Sequence, residues 1–362
     1  MITRRALVAS ACAAPAAAFA PAGLRISRTK RDLWRSAAGP SLRGSVFVQR
    51  RVYPDLDGPE FLGRGPIGAP VTGEALDRLA GAGANLASWS GPGLFSESAP
   101  FAVDPAVEDH IGAWLDACLA RGLYTTLCLR TGPGRSAFAF HPGESWYPPA
   151  LYDDSLWRES EKQAAWAEMT AETLRRFGGH AALAGVKVLD EPNGADSGAD
   201  GVWPVFARRI AQACEGLDRD TPLIFSPDRW GRSERAAELR AAVGPDAVIA
   251  VHDYSPWAYT HQDAGGGVRF DADHSPADLP ARPGGDIAVL EFGAVRAAPD
   301  LAVYLDARIN AFEAAGANWA VFRWTSGWAP YERLEAGMAV SEHAEGLARL
   351  RQAWARNGAR PG

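Results

Sequence analysis

Leu183-Ala-Gly-Val-Lys-Val-Leu-Asp190-Glu191-Pro192-Asn193 is an apolar run that stops at two acids and a proline. A short stretch of Val, Leu and Ala bounded by turn residues reads as a buried strand, and proline cannot continue a strand's hydrogen-bond ladder, so Pro192 marks its end. Glu191 is thereby carried to the C-terminal tip of a strand. Ile287-Ala-Val-Leu-Glu291-Phe-Gly293 has the same form, with an acid again at the tip.

Further apolar runs at 44–49, 85–90, 124–130, 223–226, 248–252 and 319–324 join 183–191 and 287–291 to make eight strands. Between and after them lie helical stretches near 74–82, 105–121, 154–177, 202–217, 232–243, 299–315 and 341–357, rich in Ala, Leu, Glu and Arg. Only the sixth crossover, 263–286, is Gly/Asp/Pro-rich without a helical pattern. Regular alternation of strand and helix predicts a parallel sheet with crossover helices, and eight units predict an α/β fold, a single (β/α)8 TIM barrel over 41–362. Barrels of this kind build their sites from the C-terminal ends of the strands. Arg130, Asp190, Glu191, His252, Glu291 and Trp324 stand at such ends and are expected to meet in one pocket.

A chain of 362 residues that is 47% hydrophobic can bury one large core. Its net charge of −6 argues against a nucleic-acid surface, which needs a basic stripe. Thirteen tryptophans are many for this length, and a flat indole face suits a sugar ring as well as a core. The first twenty residues, with Arg4 and Arg5 before an Ala-rich apolar run and small residues at Ala18 and Ala20, read as an export signal. The arginine pair resembles a twin-arginine leader and also fits an ordinary secretory one. The run is shorter than the roughly 20 residues a bilayer needs, so no stable membrane insertion is expected. Loss of residues 1–20 removes two arginines and no acids, which takes the charge from −6 to −8. The protein is expected in the periplasm or outside the cell, as a monomer. Residues 21–40 read as a linker or surface flap. Removal of 1–20 also takes Cys12, and the three cysteines left, Cys118, Cys128 and Cys214, odd in number and widely spaced, read as small buried apolar residues.

One acid at a strand end is unremarkable, since it can cap the next helix or sit in a solvated loop. Two at the tips of strands four and seven face each other across a narrow barrel mouth. A carboxylic acid and a carboxylate about 5–5.5 Å apart can cleave a glycosidic bond with retention, one protonating the leaving oxygen and the other attacking the anomeric carbon. The proton donor needs a pKa raised by burial or by a neighbouring negative charge, and Asp190 adjoins Glu191.

Other groups carry less. The 131–152 loop, with Phe138, Phe140, His141, Trp146 and Tyr147, reads equally as a binding wall or as a satellite hydrophobic cluster. His252, Asp253, His261 and Asp263 lack a compact metal-ligand spacing, so no metal is expected. Gly265-Gly266-Gly267 has no strand-loop-helix context for a phosphate cradle, and no G-x-S-x-G elbow appears.

These motifs together resemble glycoside hydrolase family 5, the cellulase family within clan A of the barrel glycosidases. Leu42-Arg43-Gly44 resembles its first-strand opening. Asp190-Glu191-Pro192-Asn193 resembles its Asn-Glu-Pro motif, which implies Glu191 as acid/base. His252-Asp253-Tyr254-Ser255-Pro256, continuing to Thr260-His261-Gln262, resembles its sixth-strand segment, and Glu291-Phe292-Gly293 resembles the nucleophile motif. The resemblance spans about 42–330. It implies that Tyr254 orients the nucleophile Glu291, that Trp324 forms the floor beneath the sugar, and that Asp190 and His252 bind hydroxyls. Trp89 is added as a substrate-binding aromatic. The chain departs from the family in three places. Asp190 replaces the Asn before the acid/base. Asn85-Leu-Ala-Ser-Trp89-Ser90 lacks the arginine at the end of strand two, and the histidine after strand three is missing. Arg130 is the expected substitute for the lost positive charge near Glu291. The implied activity is a cofactor-free retaining hydrolase of β-linked glucan- or mannan-type oligo- or polysaccharides. Its rivals are a non-catalytic carbohydrate-binding barrel and a barrel lyase or metal-assisted hydrolase.

Overall fold

The computed structural model describes residues 29–35, 39–58, 71, 73–263, 265–273, 277, 279, 286–325 and 333–362. The expected export signal, 1–20, lies outside them. Eight parallel strands close into a barrel in chain order: β1 (Arg43–Val48), β2 (Leu86–Pro92), β3 (Thr125–Thr131), β4 (Leu183–Lys187), β5 (Leu223–Phe225), β6 (Val248–Asp253), β7 (Ile287–Phe292) and β8 (Asn318–Val321). The expected single TIM barrel is the observed fold. Helices pack outside it, among them Pro105–Leu119, Ser160–Phe177, Val202–Ala213 and Leu301–Ala315. Asp104 caps the first of these by accepting from the Ala106 amide, and Pro105 stands where a missing N–H costs nothing. No helix among the described residues is long and apolar enough to cross a membrane.

Two differences from the sequence expectation matter for the site. β4 ends at Lys187 and β8 at Val321, and beyond them single amide bonds, from Asp190 to the Leu129 carbonyl and from Trp324 to the Val46 carbonyl, carry the chain on along its neighbours. The second concerns 21–40, expected as a linker or surface flap. Leu33 and Trp34 are buried, and the Trp34 indole N–H donates to the Ala184 carbonyl at 3.0 Å. Asn318 ties this segment down, donating to the Leu33 carbonyl and accepting from the Ser41 and Leu42 amides. The strand starts at the lower end of a barrel expose apolar side chains, and this segment covers some of them.

Most tryptophans fill the layer between sheet and helices. Trp89, Trp166, Trp203, Trp319 and Trp354 are all essentially fully buried. Cys118, Cys128 and Cys214, the cysteines among the described residues, are buried and free. Parallel pairing brings residues in register to the same face of the sheet, so the register defines the interior layers. Ser90 pairs with Cys128 and Cys128 with Lys187, while His252 pairs with Glu291. These two rows form the layer beneath the upper mouth.

Candidate active site

A pocket of about 800 Å³ opens over that layer. Glu191 and Glu291 both line it, with His252, Tyr254 and Arg130. Glu191 sits just beyond β4 with φ of 44°, a left-handed conformation that a non-glycine residue adopts at a cost of about 1–3 kcal/mol. Buried Arg135 holds that turn from the loop after β3. It donates to the Glu191 carbonyl at 3.1 Å and to Asp154 at 2.9 Å. The left-handed turn points Glu191 at His252 across the mouth instead of along the strand.

His252 stands between the glutamates. Its Nδ1 lies 3.0 Å from Oε1 of Glu191 and 3.4 Å from Oε2 of Glu291. Those two oxygens are therefore at most 6.4 Å apart, the total of the two distances. Glu291 also accepts from the Tyr254 hydroxyl at 3.0 Å. The imidazole fits because position 231 is glycine: a Cβ there would come within 2.9 Å of the His252 ring, and its φ of 82° favours glycine in any case.

A buried ion pair lies beneath. The Lys187 ammonium is 2.6 Å from Oδ1 of Asp190, 2.7 Å from Nε2 of His252 and 3.8 Å from Oε1 of Glu291. Oδ2 of Asp190 accepts from Ser90 at 2.9 Å and from Arg130 at 3.3 Å. Among the described residues, Asp190, His252 and Glu291 are the one group whose ligand atoms lie close enough together to hold a metal, within 4.8 Å. A cation is already among them, the ammonium itself. These three residues therefore suit a lysine better than a metal ion.

The electrostatics follow from burial. Desolvation, with the charge of Asp190 added, raises Glu191 to about 8. Glu291 is raised to about 7, again chiefly by burial, which His252 and Lys187 oppose. Burial lowers His252 to about 4, which keeps the ring neutral. Burial would lower Lys187, but the charges of Asp190 and Glu291 outweigh it and the ammonium is held. Asp190 resists the same desolvation through Lys187 and Arg130, and stays ionised. Tyr254 is pushed up by burial and by Glu291, so it remains a donor. At neutral pH the site thus pairs one protonated carboxyl with one that ionises more readily.

A stability effect follows from the sign of these shifts. A carboxyl whose pKa is raised on folding contributes stability that is complete below its unfolded value, near 4.3, and is lost as pH rises through the folded value. Glu191→Gln never ionises, so it is expected to melt higher than the wild type above pH 8 by at least about 2 °C. The difference should vanish near pH 4. Calorimetry at pH 4 and pH 9 checks it, and an equal or lower melting temperature at pH 9 would contradict the raised carboxyl.

Several residues stand elsewhere than the sequence suggested. Trp324 is not on the pocket wall. It is 1% exposed, donates its indole N–H to Ala75 and packs on Trp354. Phe322, two residues earlier, lines the pocket instead. Trp89 is also core: Ser88 and Ser90 face the barrel interior, so alternation turns Trp89 outward against His110. Asp190 is fully buried with both oxygens engaged, so it is not placed to bind a hydroxyl. The cation beside Glu291 is Lys187, whereas Arg130 reaches Asp190 and Glu335 and lies over the Phe140 ring.

The 131–152 loop divides between its two readings. Phe138 and Tyr147 are buried in a satellite cluster with Tyr53, while Phe140 and His141 line the pocket. Trp230 and Trp257 also line it and were not singled out from the sequence. Trp257 is 67% exposed and stacked on His261 with ring centroids 3.4 Å apart. Trp230 is presented by a turn in which Arg229 and Trp230 are both left-handed. Lys187 and Arg135 were missed as well. A lone lysine in a strand buried on both faces was a readable signal, because such a charge must find a partner inside.

No family model matches the chain. Solved structures share the fold at low identity. They include the endoglucanase Cel5A of Pseudomonas stutzeri, with 17% identity, TM-score 0.62, and coverage of 90% of this chain and 98% of that one. Thermotoga maritima Cel5A, crystallised with cellobiose in a mutant form, matches with 15% identity, TM-score 0.60, and coverage of 86% and 96%. The same protein was also crystallised with mannotriose. Among curated proteins, Endoglucanase 3 of Fibrobacter succinogenes is 25% identical over 117 residues, 31% of this chain and 18% of that protein. The chain thus spans under a fifth of the curated relative's length.

Proposed function

We propose that the protein is a retaining glycoside hydrolase of β-linked glycans, with Glu191 as acid/base and Glu291 as nucleophile. The observation that carries this reading is the shared approach to His252 Nδ1, which keeps the facing oxygens of the two carboxyls, Oε1 of Glu191 and Oε2 of Glu291, at most 6.4 Å apart. Facing oxygens that close accommodate the roughly 5–5.5 Å of a double displacement, which supports retention over the roughly 6.5–9.5 Å arrangement of an inverting enzyme. In the first step Glu291 attacks the anomeric carbon, the glycosidic C–O bond breaks, and Glu191 gives its proton to the departing oxygen. In the second Glu191 takes a proton from water, whose oxygen displaces Glu291 from the sugar.

The named neighbours, endoglucanases crystallised with cellobiose and mannotriose, support β-linked glucan- or mannan-type oligosaccharides as the first substrates to test. Export before action fits a polymeric substrate outside the cytoplasm. Turnover of β-glucan and β-mannan oligosaccharides, with the first-formed anomer read by proton NMR, tests the reading. A β-configured product supports it, and an α-configured product overturns the retaining mechanism. Binding of these oligosaccharides without any turnover would favour the non-catalytic barrel.

The aromatic assignments predict a division of effects. Trp257→Ala and Trp230→Ala are expected to raise KM by about 2- to 10-fold each, the scale of roughly 0.5–1.5 kcal/mol for a ring contact. Trp89→Phe and Trp324→Phe should lower the melting temperature and leave KM unchanged. Initial rates on an oligosaccharide series separate the two groups.

A further inference from the structure

We propose that Lys187 is a positioning residue: anchored by Asp190, its ammonium fixes His252 as the Nδ1–H tautomer and places a positive charge beside Glu291. The first half follows from donor counting. An ammonium has only protons to give, so at 2.7 Å the Nε2 atom of His252 must accept and the single proton of the neutral ring must sit on Nδ1. That N–H donates to Oε1 of Glu191 at 3.0 Å, and Oε2 of Glu291 lies 3.4 Å from the same nitrogen, so its dipole is directed at the space between the carboxyls. The second half follows from distance and burial. Lys187 Nζ is 3.8 Å from Oε1 of Glu291, and both side chains are at most 5% exposed, where solvent screens little.

The arginine expected at the end of strand two is absent, and Ser90 stands there, donating to Asp190. The positive charge comes instead from β4, four residues before Glu191, and Asp190 is an aspartate because it anchors that charge. The other titratable groups facing Glu291 and its neighbours are Cys128 and Arg130 from β3, His252 from β6 and Tyr254 just beyond it, Asp190 and Glu191 beyond β4, and Glu335 from the segment after β8. Among the described residues, Lys187 is the lysine or arginine that forms an ion pair with Glu291.

This role rests on the two-glutamate reading, but its first tests need no substrate. In protein carrying 15N-histidine, long-range proton–nitrogen correlation is expected to show His252, assigned by its loss in His252→Gln, as the neutral Nδ1–H form from pH 6 to 8. The Nε2–H form or an imidazolium would overturn the proposal. In protein carrying 13C-glutamate, Lys187→Met should raise the Glu291 midpoint by at least about one pH unit, as loss of an opposite charge within 4–6 Å does. Lys187→Arg should restore most of the shift. An unchanged midpoint and tautomer in Lys187→Met would refute the role. If Lys187→Met fails to fold because Asp190 keeps a buried charge, Lys187→Met/Asp190→Asn removes both charges and takes the same measurements. In turnover, the role predicts a kcat loss of about tenfold or more with KM within about twofold. Absence of any wild-type turnover would end the hydrolase reading while leaving the two NMR outcomes to decide the function of Lys187.

Discussion

Glu291→Ala is expected to lower kcat by roughly 10⁴- to 10⁶-fold, the scale on which loss of a covalent nucleophile is felt. The carboxylate is held by the Tyr254 hydroxyl and lies 3.4 Å from Nδ1 of His252, the same atom that meets Glu191. Glu191→Ala should cost less, about 10²- to 10⁴-fold on a glycan, the usual contribution of a general acid. On an aryl glycoside whose leaving group needs no proton the cost to the first step should shrink further. Azide distinguishes the two roles. Added to Glu291→Ala it attacks from the vacated side and gives the α-glycosyl azide. Added to Glu191→Ala it intercepts the glycosyl-enzyme from the other side and gives the β-glycosyl azide. A loss of less than tenfold in Glu291→Ala, or the same azide anomer from both variants, would reject the assignment.

The pH dependence of kcat/KM is expected to be a narrow bell near neutrality. Glu291 must be ionised to attack, and burial raises it to about 7, so activity falls tenfold per unit below that value. Glu191 must be protonated to act as acid, and burial with the charge of Asp190 raises it to about 8, so activity falls above that value. The two groups face one imidazole, so the limbs report the pair as a unit. With an activated aryl glycoside under conditions where the first step limits, Glu191→Gln should lose the alkaline limb and keep the acid one. An optimum near pH 5 with a broad plateau would mean that water enters the site and that neither carboxyl is raised.

Much of the barrel was legible in the chain. Each strand is an apolar run bounded by breakers, and the strand–helix alternation admits few other topologies, so eight strands in order could be read without coordinates. Strand ends were less legible. β4 ends four and β8 three residues before their apolar runs do, and only isolated amide bonds to the neighbouring strands continue beyond, a distinction that no local pattern records. Within that stretch Phe322 reaches the pocket and Trp324 the core, two places that an apolar pattern does not tell apart. The mistaken place for Trp89 has a different origin, since period-two alternation says that neighbours face opposite sides but not which side is the interior.

The sequence by itself determined the fold and the presence of acids at the tips of strands four and seven, since both depend on the order of apolar and polar residues along the chain. Tertiary structure alone decided what surrounds those acids. Lys187 lies four residues from Glu191 in the chain, but it faces His252 and Glu291 only because β4, β6 and β7 curve around one axis. The raised carboxyls, the held ammonium and the neutral imidazole arise from burial and from charges on different strands. Those quantities depend on distance in space, and distance along the chain does not set them.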